Sequence, residues 1–189
     1  MEIGVWGDSI TYGKCDSEAL GWVGRIRKSS PIGENGHVYN RGIGGDTSED
    51  VLKRFAVEVE SIEPEVIVFA IGINDSKYPA GATENLVPIE KFKKNMGSLI
   101  KRAKEHSTKI YIVSCTSVVD ESPRSSGTRF TNEQIAIYNS FLKELAESES
   151  LQFIDVSNVL DTSTDLQDGL HPNAKGYEKL AQVIGSQIT

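Results

Sequence analysis

The chain predicts a three-layer α/β/α sandwich around a central parallel sheet of about five strands. Short apolar runs recur from one end to the other, several of them lack polar alternation, and segments of helical spacing separate them. Strands apolar on both faces belong in a sheet covered on both sides, and alternation of strand and helix joins parallel strands through right-handed crossovers.

The strands are expected at Ile3–Trp6, His37–Asn40, Val66–Ile71, Ile110–Ser114 and Gln152–Ile154. The first helix follows from the stripe Val51, Leu52, Phe55 and Val59, opened by Thr47 with Asp50 three residues on, a capping box with Asp in the usual Glu position. Ile89, Phe92, Met96, Leu99, Ile100 and Ala103 form a second stripe. A third, Ile135, Tyr138, Phe141, Leu142 and Leu145, follows Thr131 and Gln134 at true capping-box spacing. Tyr177, Leu180, Ala181 and Ile184 close the chain as a last helix, and Trp6 and Trp22 are expected in the core. The stretch Val119–Arg129, rich in Ser, Pro, Gly and charge, reads as a loop after the fourth strand.

A length of 189 residues suits one domain over 1–189, able to bury roughly 70% of the surface its unfolded form exposes. No repeat, linker or long charge block argues for a second. No apolar stretch reaches bilayer length, so no membrane span is expected, and the net charge of −7 disfavours nucleic acid or acidic lipid as partners. Cys15 and Cys115 are too few and too far apart for a disulfide scaffold or a thiolate metal site, and both are expected as buried thiols. With no basic and apolar leader before the first strand, the expectation is a cytoplasmic protein, unless a leader has been removed. Nothing in the sequence sets an oligomeric state.

In an open parallel sheet the ligand crevice lies beyond the carboxyl ends of the strands. There the chain places Gly7-Asp8-Ser9, Gly42-Ile43-Gly44-Gly45-Asp46 and Gly72-Ile73-Asn74-Asp75. Glycines let main-chain N–H groups approach a ligand, as an oxyanion site requires, and Asn74 adds a side-chain amide. A serine hydroxyl needs an imidazole to take its proton and a carboxylate to support that imidazole. Of three histidines, His37 falls at a strand start and His106 near a helix end; His171 alone lies in a loop with an acidic residue, Asp168, three positions before it. Arg41, before the glycine block, reads as a surface ion-pair partner.

Taken in order, Gly7–Thr11, Gly44–Thr47, Gly72–Asp75 and Asp168–Pro172 resemble the four sequence blocks of the SGNH hydrolase superfamily, also called the GDSL esterase/lipase family. Ile10 stands where the family has Leu, an apolar exchange. The resemblance implies the flavodoxin-like SGNH fold and a serine esterase that cleaves carboxylic esters or thioesters through an acyl-enzyme, and the lack of a recognisable lid segment or long apolar surface helix favours small soluble substrates. It implies Ser9 as nucleophile, His171 as base and acid, and Asp168 as its carboxylate. The N–H groups of Ser9 and Gly45 and the amide of Asn74 would form the oxyanion hole. Asp8 and Asp75 read as local hydrogen-bond acceptors that support their loops, and no cofactor or metal is expected. No Gly-x-Ser-x-Gly elbow suggests an α/β-hydrolase. Two alternatives remain: a metal-dependent phosphoesterase using Asp8, Asp75, Asp168 and His171, and a non-catalytic ligand-binding module on the same fold. A dinucleotide site is disfavoured, since Thr47 occupies the third glycine position of Gly-x-Gly-x-x-Gly.

Overall fold

The computed structural model describes residues 1–29, 36–120 and 126–188. Five strands, β1 (Glu2–Gly7), β2 (His37–Gly42), β3 (Val66–Ala70), β4 (Lys109–Val113) and β5 (Gln152–Ile154), form one sheet in the order β2-β1-β3-β4-β5. Every pairing is parallel. This is the flavodoxin-like order, in which the connections diverge at the β1/β3 boundary and open a crevice at the carboxyl ends of those two strands.

Among the described residues six helices accompany the strands: α1 (Ser9–Tyr12), α2 (Gly21–Ser29), α3 (Ser48–Ile62), α4 (Ile89–Ala103), α5 (Asn132–Ser148) and α6 (Ala174–Ile188). Because a strand turns successive side chains to opposite faces, its apolar runs feed two cores. Ile67, Phe69, Ile110 and Ile112 pack on one face against α3, α4 and α5, with Trp6 and Phe55 in edge contact at 4.8 Å between ring centroids. Val66, Val68 and Val113 pack on the other face against Trp22, Val23 and Ile26 of α2 and Tyr177, Leu180 and Ile184 of α6. Both tryptophans are buried, as expected.

The helix starts follow from local chemistry. The carboxylate of Asp50 takes the N–H of Thr47 at 3.1 Å and its hydroxyl proton at 2.7 Å, while Thr131 Oγ1 accepts the N–H of Gln134 at 3.3 Å. Three elements differ from expectation. Helices α1 and α2 carry no recognisable stripe, being one turn and a glycine-interrupted segment. The second strand also runs on to Gly42, which pairs with Gly7 instead of opening the loop. A Cβ on Gly42 would lie 2.3 Å from Tyr12 N and 2.9 Å from Asp8 O, so the bare backbone there lets α1 sit against the sheet edge. Among the described residues no helix is long and apolar enough to cross a membrane.

Candidate active site

The loops after β1, β2 and β3 and the loop before α6 meet at the carboxyl edge of the sheet around an open cleft of about 460 Å³, bordered by Ser9, Gly45, Asn74 and His171. A polar groove of about 370 Å³ between α5 and the end of β5 has no serine–histidine pair.

Ser9 reaches the cleft because β1 stops at Gly7 and the chain turns at once into α1, whose N-cap Asp8 accepts the N–H of Ile10 at 2.8 Å. Its Oγ lies 3.0 Å from His171 Nε2. The other ring nitrogen, Nδ1, lies 2.8 Å from Asp168 Oδ2, and Asp168 Oδ1 accepts the backbone N–H groups of Leu170 and His171 at 3.1 and 2.8 Å. Partial burial pushes the Asp168 carboxyl up, but the N–H groups of His171 and Leu170 and the imidazole together hold it at about 2. Asp168 is therefore ionised near neutrality and only accepts, so Nδ1 of a neutral imidazole carries the proton and Nε2 presents its lone pair to Ser9. The loop is fastened from below. Gln167 N donates to His171 O at 2.8 Å, and Asp165, fully buried, pairs with Lys179 of α6.

Gly45 and Asn74, which border the cleft together with Ser9, are held by local contacts. Gly45 has φ +90° with open space around the Cβ position, a conformation that costs a side-chain-bearing residue and leaves the main chain exposed to the cleft. Its loop is tied to α3 by Arg54, which donates to Asp46 Oδ2 at 2.9 Å and to Arg41 O at 2.7 Å. Asn74 Nδ2 donates to Asp46 O at 3.0 Å and Asn74 Oδ1 accepts from Lys77 Nζ at 3.2 Å. Since a carbonyl only accepts and an ammonium only donates, both contacts fix the same amide orientation and leave the second N–H of Nδ2 available to the cleft.

Asp75 is buried and takes the N–H of Ser48 at 3.0 Å and its hydroxyl proton at 2.5 Å, tying the β3 loop to the start of α3. Burial pushes its carboxyl up to about 6 against the Ser48 hydrogen bonds. Asp8, also buried, is pushed up to about 7, with the Ile10 N–H opposing and the nearby Asp75 reinforcing the shift.

Several residues stand elsewhere than the sequence suggested. Cys115 is buried, but Cys15 is exposed, carried on a left-handed turn at φ +69° beside Asp168 and His171. Asp8, Asp75, Asp168 and His171 do not form a metal-ligating group among the described residues: Asp8 turns its carboxylate to the Ile10 N–H of its own loop, and Asp75 turns its carboxylate to Ser48 at the start of α3. Arg41 is half-buried, forms no ion pair among the described residues, and its buried Nε has no hydrogen-bond partner. His37 pairs with Glu2 at 3.0 Å, far from the cleft. Lys14, Lys77, Ser126, Thr128 and Phe130 border the cleft without having been singled out from sequence. Ser126 and Thr128 belong to the expected Val119–Arg129 loop, of which residues 121–125 lie outside the described residues. Lys77, one turn beyond Asn74, was within reach of a closer reading of that block.

Comparison with known proteins agrees with the fold. The model of the GDSL-like lipase/acylhydrolase family matches residues 5–179. A multidomain esterase of Ruminococcus flavefaciens is 31% identical over 136 residues, spanning 69% of this chain and 16% of the relative. An acetylxylan esterase of Xylanibacter ruminicola is 28% identical over 149 residues, spanning 68% of this chain and 29% of the relative. The chain thus spans less than a third of the length of either. Among solved structures, the acetyl xylan esterase AlAXEase superposes with a TM-score of 0.81 at 20% identity over 100% of both chains, which establishes a shared fold.

Proposed function

The chain belongs to the GDSL-like lipase/acylhydrolase family, and from that premise we propose that it is a serine-dependent carboxylic ester hydrolase acting on small, soluble, acylated substrates. The observation that carries this reading is the continuous chain Asp168–His171–Ser9, with contacts of 2.8 and 3.0 Å, ending in a cleft that Gly45 and Asn74 also border.

In the proposed reaction Ser9 Oγ attacks the ester carbonyl carbon as His171 Nε2 takes its proton, and ionised Asp168 stabilises the imidazolium. The carbonyl oxygen, now an anion, is held by the N–H groups of Ser9 and Gly45 and the amide of Asn74. Collapse expels the alcohol, protonated by His171, and leaves an acyl group on Ser9. A water activated by His171 then attacks that acyl group, and a second collapse releases the acid and restores the serine.

The cleft is open, and Lys14, Lys77, Ser126 and Thr128 share its border with Phe130 and Leu170. Such a mixed border suits a hydrophilic ester with a short acyl group better than aggregated lipid. One relative is an acetylxylan esterase, which supports acetylated carbohydrate as the substrate class. The test is hydrolysis of p-nitrophenyl esters of increasing acyl length and of acetylated xylo-oligosaccharides by the native protein and by Ser9→Ala. The expected result is a preference for acetyl, abolished in the variant. Equal rates in both proteins remove Ser9 from the role.

A further inference from the structure

Cys15 has no part in the proposed ester chemistry, yet its turn brings it to the site. The sulfur of Cys15, a carboxylate oxygen of Asp168 and a ring nitrogen of His171 all lie within 4.8 Å of one another. We propose that these three residues form a binding site for a thiophilic divalent cation, zinc foremost, and that its occupation shuts off ester hydrolysis.

The donor set selects the metal. One sulfur, one imidazole nitrogen and one carboxylate suit zinc, whereas magnesium and calcium take oxygen ligands alone. In a tetrahedral zinc site, with Zn–S about 2.3 Å and Zn–N and Zn–O about 2.0–2.2 Å, neighbouring ligand atoms stand roughly 3.3–3.7 Å apart. The three donor atoms, none more than 4.8 Å from another, stand near that spacing.

The scaffold under the three ligands is already fixed. The Asp16 carboxylate accepts the N–H groups of Leu20 and Gly21 at 3.1 and 2.7 Å and pairs with Arg25, while Tyr177 Oη donates to Lys14 O at 2.7 Å, so the turn bearing Cys15 is held on both sides. Asp168 is held by two backbone N–H groups. Cys15 and Asp168 are exposed, which gives the ion a path in and water access to the fourth position. A thiolate and a carboxylate together neutralise the dication, which offsets the repulsion from Lys14 at the cleft border.

Binding releases the thiol proton to solvent. If the metal takes Nε2, it occupies the lone pair that Ser9 needs. If it takes Nδ1, it displaces that proton, separates the ring from Asp168 and leaves Nε2 as the protonated nitrogen. Either route removes the general base. Inhibition rests on the esterase reading, whereas metal binding does not.

The two are therefore tested apart. Cobalt(II) titrated into Ser9→Ala is expected to give a thiolate-to-metal charge-transfer band and the intense visible bands of a tetrahedral ion. Both should persist on adding Cys115→Ala and vanish on adding Cys15→Ser. In the active protein, zinc chloride is expected to inhibit p-nitrophenyl acetate hydrolysis reversibly with a chelator. Cys15→Ser and Cys15→Ala should keep the zinc-free kcat/KM and need at least about tenfold more zinc for the same inhibition. Cobalt spectra indifferent to Cys15, or equal zinc sensitivity of the Cys15 variants, overturn the site. A protein inactive on every ester that still shows the thiolate band overturns the function and leaves the metal site standing.

Discussion

Lys77 Nζ lies 3.2 Å from Asn74 Oδ1, on the far side of the amide from the Asp46 carbonyl that Asn74 Nδ2 meets at 3.0 Å. An ammonium drawing on the amide oxygen withdraws electron density from the nitrogen, which strengthens the N–H left for the cleft. It also opposes a flip that would exchange the amide oxygen and nitrogen.

On the proposed mechanism Lys77 would be a positioning residue, acting through Asn74. Lys77→Met is expected to lower kcat about tenfold with a smaller change in KM, and Lys77→Arg to restore part of the loss. Burial holds the Lys77 amine below the ordinary lysine range, although Asp75 and Asp8 pull it back up. Raising the pH therefore strips its proton earlier than for an exposed lysine. The kcat profile should fall on its alkaline side in the native protein and lose that fall in Lys77→Met. Equal reductions of kcat in Met and Arg variants with unaltered profiles would mark Lys77 as merely structural.

Asn74 itself should show a larger effect. Asn74→Ala removes the donor outright and is expected to lower kcat by roughly 10²–10³, while Ser9→Ala and His171→Ala each cost on the order of 10⁶. On the proposed mechanism nucleophile and base act as one unit, so the Ser9→Ala/His171→Ala double variant should be scarcely slower than either single variant. Steady-state kinetics on p-nitrophenyl acetate decide this, and multiplicative losses would separate the two residues' roles.

Much of this arrangement was readable in the chain because each block is contiguous and sits at the end of a strand. Ser9, Asn74 and His171 stand within short motifs whose residue types already imply the chemistry. The strands were readable for the same kind of reason, since a sheet covered on both faces writes itself as unbroken apolar runs such as Val66–Ala70. Helix α2 was not, because Trp22, Val23 and Ile26 are spread among two glycines and three cations without a cap. Cys15 was misplaced because a small apolar side chain far from other cysteines reads as buried. Its exposure follows from a left-handed turn pinned by the pairing of Asp16 with Arg25 and, across the fold, by Tyr177. The Lys77–Asn74 pairing is local, but its meaning needs the Asp46 carbonyl on the other side of the amide.

Gly42 tests how rigidly α1 is held. An added Cβ there meets backbone atoms of Thr11, Tyr12 and Asp8 at 2.3–2.9 Å, none of which can swing aside. Gly42→Ala is expected to cost about 3 kcal/mol, lowering Tm by roughly 6–12 °C, and to reduce activity in the folded fraction by displacing Ser9. Gly97, on the exposed face of α4 with open space at its Cβ position, supplies the contrast. Gly97→Ala should raise stability by about 0.5–1 kcal/mol and leave kcat unchanged. Thermal melts and active-site titration separate the two outcomes.

Asp8 makes stability depend on pH in an unusual direction. Its carboxyl is pushed up to about 7 by burial, against the Ile10 N–H, whereas in the unfolded chain it titrates near 3.8. Below about pH 4 both states hold the proton and Asp8 contributes no penalty. Between about 4 and 7 the unfolded chain ionises while the folded one keeps its proton, so folding loses free energy as pH rises, up to about 4 kcal/mol above pH 7. Asp75, pushed up to about 6, acts in the same direction over a narrower window. Asp168, held at about 2, acts in reverse: its contribution is complete above the unfolded carboxylate pKa and fades as pH falls through 2. Asp8→Asn keeps an oxygen for the Ile10 N–H and replaces the acid's O–H donor with an amide donor. It is expected to match the native protein in urea unfolding at pH 4 and to exceed it progressively toward pH 8. Parallel stability curves across that range would mean that Asp8 ionises in the folded protein as readily as in the unfolded one, and that the buried carboxyl beside Ser9 is solvated by something other than the Ile10 N–H.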